Sequence, residues 1–208
     1  DKGRFLLTEL RMTEHFHHYL TKAAADQAEE KYVAVTFFLN DGSLLTFNEV
    51  RRFGRMRLLT EEQLHQALNK LGMDVLSKEF TLNAFRQLLE KRKKTTVKIA
   101  LMDQHLFAGV GNIYAQEALY RAKILPQRKN ATLSAAEMQN LYRELLAVLH
   151  RAVKHHGTTV ENYVHIEGSG GFQEYLQVYQ REKCPQGHPL KKEYVGGRGT
   201  YYCGKCQQ

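Results

Sequence analysis

All three cysteines of the chain, Cys184, Cys203 and Cys206, lie in the stretch that ends it, and His188 follows the first by four places. Cys203-Gly-Lys-Cys206 is a C-x2-C knuckle and Cys184-Pro-Gln-Gly-His188 a C-x3-H knuckle, with eighteen residues between Cys184 and Cys203. Three cysteines cannot close a disulfide set. Two knuckles on a short hairpin bring four soft or borderline donors to one tetrahedral Zn2+. Four protein ligands leave no open position, so such a metal is structural, and in so small a module its binding supplies much of the folding energy.

The elements that must position these groups are legible around them. The run KKEYVGGRGTYY at 191–202 places two strand-like segments about Gly196-Gly197, a tight-turn signal. Upstream, Phe107-Ala108-Gly109-Val110-Gly111-Asn112 sets two glycines just before a helical pattern, with Asn112 expected at the N-cap. Exposed amides at a helix start can hold a phosphate, although the same spacing suits a plain helix–turn–helix corner. Helical periodicity covers 60–71, 81–91, 95–102, 112–122 and 134–155, with a threonine cap at Thr60, a capping box at Ser134 and Glu137, and Pro126 as a helix stop. Residues 1–59 read as β structure. A hairpin is expected at Asn40-Asp41-Gly42, and a polar loop or helical turn at 22–31. The fold class is α+β. A partial N-terminal β-sandwich domain spans 1–59, a helical domain 60–178 and a zinc finger 179–208.

The chain has 208 residues, 43% of them hydrophobic, which is enough for folded cores. No apolar run reaches membrane-spanning length and no signal peptide is evident, so a cytoplasmic protein without a membrane partner is expected. A formal net charge of +8 favours a polyanionic partner.

Four stretches carry a family likeness. G-V-G-N-I-Y-A-x-E-A-L-Y-x-A-x-I-x-P at 109–126 resembles the helix–two-turn–helix of the formamidopyrimidine-DNA glycosylase and endonuclease VIII family. N-E-V-R-R-F-G at 48–54 resembles its D-P-R-R-F-G loop. V-G-G-R-G-T-Y-Y-C-x-x-C-Q at 195–207 resembles its zinc-finger hairpin, and F-Q-x-x-L-Q-V-Y-x-R at 172–181 the link before it. The likeness runs through essentially the whole chain in one order.

The resemblance implies excision of oxidised bases from damaged double-stranded DNA by a glycosylase that also cuts abasic strands by β,δ-elimination. The target base is flipped out. Met12, Arg51 and Phe53 match the side chains that fill the void. Asn112 and Arg198 match residues that hold phosphate near the lesion, and Arg198 also matches the proton donor of δ-elimination. Lys93 and Lys98 fall where the family carries DNA-contacting or base-recognising lysines. The loop 165–171 lies where some members cap the flipped base. The family's members work as monomers.

There are departures. The family's nucleophile is an N-terminal proline amine followed by a glutamate, whereas this sequence opens Asp1-Lys2-Gly3; the expectation is that the segment carrying them is missing here rather than lost in nature. Arg4 takes the place of a lysine assigned to β-elimination, and arginine hardly titrates. Tyr32 takes the place of a DNA-contacting histidine. His188 stands in for the usual second cysteine, giving a Cys3His set. A non-catalytic protein that recognises lesions or abasic sites is the alternative, favoured if Asp1 is the natural start. A general nucleic-acid binder sharing only the helix–two-turn–helix is opposed by the Arg51/Phe53 loop and the finger. The base preferred stays open between the 8-oxoguanine and oxidised-pyrimidine branches, leaning slightly to the first on the length of the capping loop.

Overall fold

A computed structural model describes residues 3–10, 14–28, 30–159 and 170–208. Two compact units divide the chain: 1–66 with 154–174, and 67–153 with 175–208.

The first unit is built from antiparallel strands. Strand β1 (Arg4–Glu9) pairs with β5 (Arg55–Thr60), Arg4 opposite Thr60. Strands β2 (His15–Tyr19), β3 (Val33–Phe38) and β4 (Leu44–Asn48) form a second sheet in the order β2-β4-β3. The turn expected at Asn40-Asp41-Gly42 joins β3 to β4: Gly42 takes φ 84°, and Asp41 accepts from the amide and hydroxyl of Ser43. Residues 22–27 form helix α1 (Lys22–Gln27), capped by Thr21, the helical option of the two foreseen there. Among the described residues the interior of this unit is small and partly polar: Leu44, Phe47, Leu59 and Phe172 are buried, as are Glu14, Ser43, Thr46, Asn48 and Glu49. Helix α2 (Glu61–Leu68) opens with reciprocal bonds between Thr60 and Gln63, so the threonine expected to cap it does.

The second unit is helical. It holds β6 (Met73–Asp74), α3 (Leu82–Glu90), α4 (Val97–Leu101), β7 (Phe107–Ala108), α5 (Asn112–Arg121), α6 (Ala135–Lys154) and the hairpin β8 (Lys191–Val195) with β9 (Arg198–Tyr202). Its core is mainly apolar, with Phe85, Leu89, Leu101, Phe107, Leu119, Ile124, Leu141 and Leu145 almost wholly buried, and it also encloses Lys98, Gln116 and Glu117. The box at Ser134 and Glu137 forms with both bonds, 2.7 and 3.2 Å. Pro126 does not stop α5. The helix ends at Arg121, where Lys123 at φ 63° turns the chain and the Ile124 amide bonds back to Leu119 O at 3.0 Å. Among the described residues no helix is long and apolar enough to cross a membrane.

Candidate nucleic-acid interface and metal centre

The metal cluster comes together as its spacing demands. Gly187 at φ 79° lets the first knuckle turn, so that the Cys184 amide bonds His188 O at 2.9 Å and the Gly187 amide bonds Cys184 O at 2.8 Å. The ligand atoms of Cys184, His188, Cys203 and Cys206 all lie within 4.8 Å of one another. Cys184 Sγ stands 3.9 Å from Cys206 Sγ, and His188 Nδ1 stands 3.2 Å from Cys206 Sγ and 3.8 Å from Cys203 Sγ. Donors about 2.0–2.3 Å from one tetrahedral ion lie about 3.3–3.8 Å apart. The four atoms therefore stand near the corners that a single ion needs, and the donor set fits a metal of zinc's kind.

This finger is not a module without a core. Cys184 and Cys203 are buried in one cluster with Tyr120 of α5 and Val178, and Leu190, Tyr201 and Cys206 pack against it. Gln207, almost buried, accepts from the Cys203 amide and donates to Ile124 O, both at 2.8 Å. Gln208 exchanges backbone bonds of 3.0 Å with Lys123 and Leu125. The metal knuckle is thus stitched to the end of α5.

The hairpin turn at Gly196 and Gly197 has φ of 62° and 72°, the both-positive pair of a two-residue turn. A Cβ on Gly196 would meet Ile99 Cγ1 at 2.8 Å, so the tip rests closely on α4. Arg198, the first residue of β9, is exposed there. Asn112 is the first residue of α5 rather than its cap. Gly111 holds the cap position in an extended conformation, which leaves the Asn112 amide free to reach sideways. Its Nδ2 donates to Gly199 O at 3.3 Å, and its buried Oδ1 has no partner among the described residues. Asn112 and Arg198 are therefore brought together on one support.

Lys98 is drawn into the same support. It is fully buried, and its Nζ donates to Thr200 Oγ1 at 2.7 Å. Burial, and secondarily the charge of Arg198, pull its pKa down to about 8. Lys93 lies elsewhere on the surface, exposed and paired with Glu90 at 2.7 Å.

In the strand unit Tyr32, Arg51 and Phe53 share one end of the three-stranded sheet. The Tyr32 carbonyl accepts from the Glu49 amide at 2.9 Å, and the Glu49 carboxylate accepts from the Gly54 amide, closing the 49–54 loop. A Cβ on Gly54 would stand 3.0 Å from the Phe47 ring and 3.1 Å from Glu14, so the loop closes tightly on the sheet. Arg51 is exposed at its tip, and Phe53 is 60% exposed. Tyr32 and Arg52 adopt left-handed backbone, φ 71° and 55°. Arg4 is exposed at the start of β1. Met12 lies outside the described residues, as do positions 165–169 of the expected capping loop. Gly170 and Gly171 bond Thr159 Oγ1 at 2.7 Å and His155 O at 2.8 Å.

Two further residues of this site get no role from charge or periodicity, although Glu117 is the glutamate of the 109–126 likeness. Glu117, buried, accepts from the backbone amides of Gln177, Val178 and Tyr179 at 2.8–3.0 Å and holds the link before the finger on α5. Burial raises its pKa, and the three amides oppose that rise. Gln116 beside it, also buried, bonds β9. Polar residues within the otherwise apolar buried run Ala115–Tyr120 were the available clue.

Comparison with known proteins places this geometry. Residues 71–164 match the family model of the formamidopyrimidine-DNA glycosylase H2TH domain. The formamidopyrimidine-DNA glycosylase of an Exiguobacterium species is 40% identical over 98% of this chain and 75% of its own length. That of Desulforamulus reducens is 41% identical over 99% and 75%. Among solved structures, the MutM (Fpg) protein of Thermus thermophilus superposes with a TM-score of 0.87 at 36% identity, covering all of this chain and 77% of that one. Lactococcus lactis Fpg in complex with DNA containing an abasic site gives 0.88 at 31% identity, covering 100% and 76%. The chain belongs to the formamidopyrimidine-DNA glycosylase and endonuclease VIII family.

Proposed function

We propose that this protein binds damaged double-stranded DNA and excises oxidised bases from it in base-excision repair, with cleavage of the abasic strand by β,δ-elimination. The observation that carries the reading is the Asn112–Gly199 bond, which keeps the finger arginine beside a helix start. Exposed amides and a guanidinium on one support suit a phosphate that must be gripped without reference to sequence. One structural Zn2+ held by Cys184, His188, Cys203 and Cys206 would fix the finger and leave no coordination site for chemistry. Arg51, Phe53 and Met12 would fill the space left by the flipped base, with Tyr32 and Lys93 on flanking phosphate. Arg198 would donate the proton of δ-elimination, and Arg4 would clamp phosphate. The relatives named above are glycosylases, and the L. lactis protein was solved on abasic DNA, which supports this choice.

Binding to a duplex carrying a stable abasic analogue tests the grip. Arg198→Ala is expected to cost about 2 kcal/mol at every flanking sequence and to flatten the salt dependence by about one ion. A loss confined to some sequences, or none, overturns the role. Borohydride trapping tests the lyase step, which passes through a Schiff base between a protein amine and the sugar aldehyde. With the full gene product, a covalent adduct supports the enzyme; tight binding without one supports the non-catalytic recogniser.

A further inference from the structure

Gln116 occupies the position that the family pattern leaves open, between Ala115 and Glu117. It is 1% exposed, yet every hydrogen-bonding group of its amide is used. Nε2 donates to Gly199 O at 3.2 Å and to Asn112 O, one turn back on its own helix, at 3.0 Å. Oε1 accepts from the Tyr201 amide at 2.6 Å. Carbonyl 199 and amide 201 lie on one edge of β9, because alternate residues of a strand turn their polar groups the same way. The side chain thus meets that edge as a neighbouring strand would, donating to one residue and accepting from the next but one.

Arg198 immediately precedes this clamped pair, and Asn112 lies one helical turn before Gln116 and bonds the same carbonyl. From these contacts we infer that Gln116 is the positioning residue that sets the finger arginine in register with the start of α5. The inference rests on the phosphate-gripping role proposed above. An apolar side chain at 116 would leave the Tyr201 amide without its acceptor, and of the side-chain bonds from α5 to β9 described above only Asn112 to Gly199 would remain. The finger would still have its metal knuckle, its core and the bonds of Gln207 and Gln208, none of which passes through residue 116.

Gln116→Met conserves volume and removes both bonds to β9. The test is a double-mutant cycle with Arg198→Ala, read as affinity for the abasic-analogue duplex, with metal content and melting temperature recorded for each variant. The expected result is a loss of about tenfold on the wild-type background and less than about twofold on the Arg198→Ala background, with full metal content in both. Equal losses on the two backgrounds would make Gln116 merely structural and overturn the inference, as would unchanged affinity in Gln116→Met. If Gln116→Met loses metal or folding, Gln116→Glu, which keeps the acceptor for Tyr201 but loses the donor to Gly199, enters the same cycle with the same criteria. An Arg198→Ala protein that binds as wild type would instead overturn the phosphate-gripping role, and the inference with it.

Discussion

The two units hold their candidate DNA-facing residues in opposite ways. In the strand unit Tyr32, Arg51 and Phe53 project from loops above a small, partly polar interior, and little of that interior depends on them. In the helical unit Lys98 is wholly buried and Asn112 is spent on a carbonyl of β9, while Arg198 sits on a strand that α4 and α5 both grip. Placing a residue through packed elements fixes it before any ligand arrives, but it also couples that residue to stability. Placing it at a loop tip leaves stability untouched and lets the loop adapt. Substitutions should therefore move stability and binding together in the helical unit, and binding alone in the strand unit.

The largest expected effect comes from the metal centre. Cys203 is wholly buried against Tyr120 and Val178, and its neighbours Gln207 and Gln208 are bonded to residues 123–125. Chelation, or Cys203→Ser, should lower the melting temperature of the helical unit as well as loosen the finger, and should weaken DNA binding by about 100-fold, close to 2.7 kcal/mol. Calorimetry and anisotropy, with metal loss confirmed by mass, measure both. A metal-free protein that melts as before would show the finger uncoupled from α5 and would break the contrast between the units.

What could be read beforehand follows the same divide. The knuckle spacing, the Gly196-Gly197 turn, the Ser134–Glu137 box and the helical periods are local signals, each arising from a few consecutive residues, and each is present in the fold. Bonds that cross the chain were not legible. Nothing in composition pairs Gln116 with Tyr201 or Glu117 with Val178, more than 60 residues away. Asn112 was expected as a cap because asparagine favours that place, but β9 takes its side chain and Gly111 caps instead. Pro126 was expected to stop a helix that Lys123 had already ended. For Lys98, expected among DNA-contacting or base-recognising lysines, no sequence pattern announces the bond to Thr200 or the burial that goes with it.

A smaller effect sharpens the coupling. The pKa of Lys98 falls from 10.5 to about 8, so the fold disfavours its charge. Between about pH 8 and pH 10.5 the unfolded chain holds the extra proton, and wild-type stability gains as pH rises through that window. Below it the whole cost of burial is present. Lys98→Met removes this cost at the loss of one hydrogen bond to Thr200, which keeps its own bond to Arg198 O. The variant should be more stable than wild type by about 1–2 kcal/mol at pH 7, an advantage that fades as pH climbs from 8 to 10.5, while binding DNA less well. Paired melting curves across that range measure the difference. A variant less stable at pH 7 would mean the bond to Thr200 outweighs desolvation.

The smallest expected effect tests the other side of the comparison. Phe53 is 60% exposed at the tip of a loop closed beneath it by the Glu49–Gly54 bond. Removing its ring deletes no buried contact of that closure, so Phe53→Ala should leave the melting temperature where it is, within about 0.5 kcal/mol of stability. Its proposed partner is a base stack with a member missing, and stacking against an aromatic ring is worth about 1 kcal/mol or somewhat more. Affinity for an abasic-analogue duplex should fall by that amount, with little change on undamaged duplex, where no void waits to be filled. Melting curves and parallel titrations of the two duplexes separate the terms. An equal loss on both would make Phe53 a general DNA contact rather than a void filler. A drop in melting temperature would place it in the strand unit's core energetics, and the division between a coupled and an uncoupled half of the grip would fail.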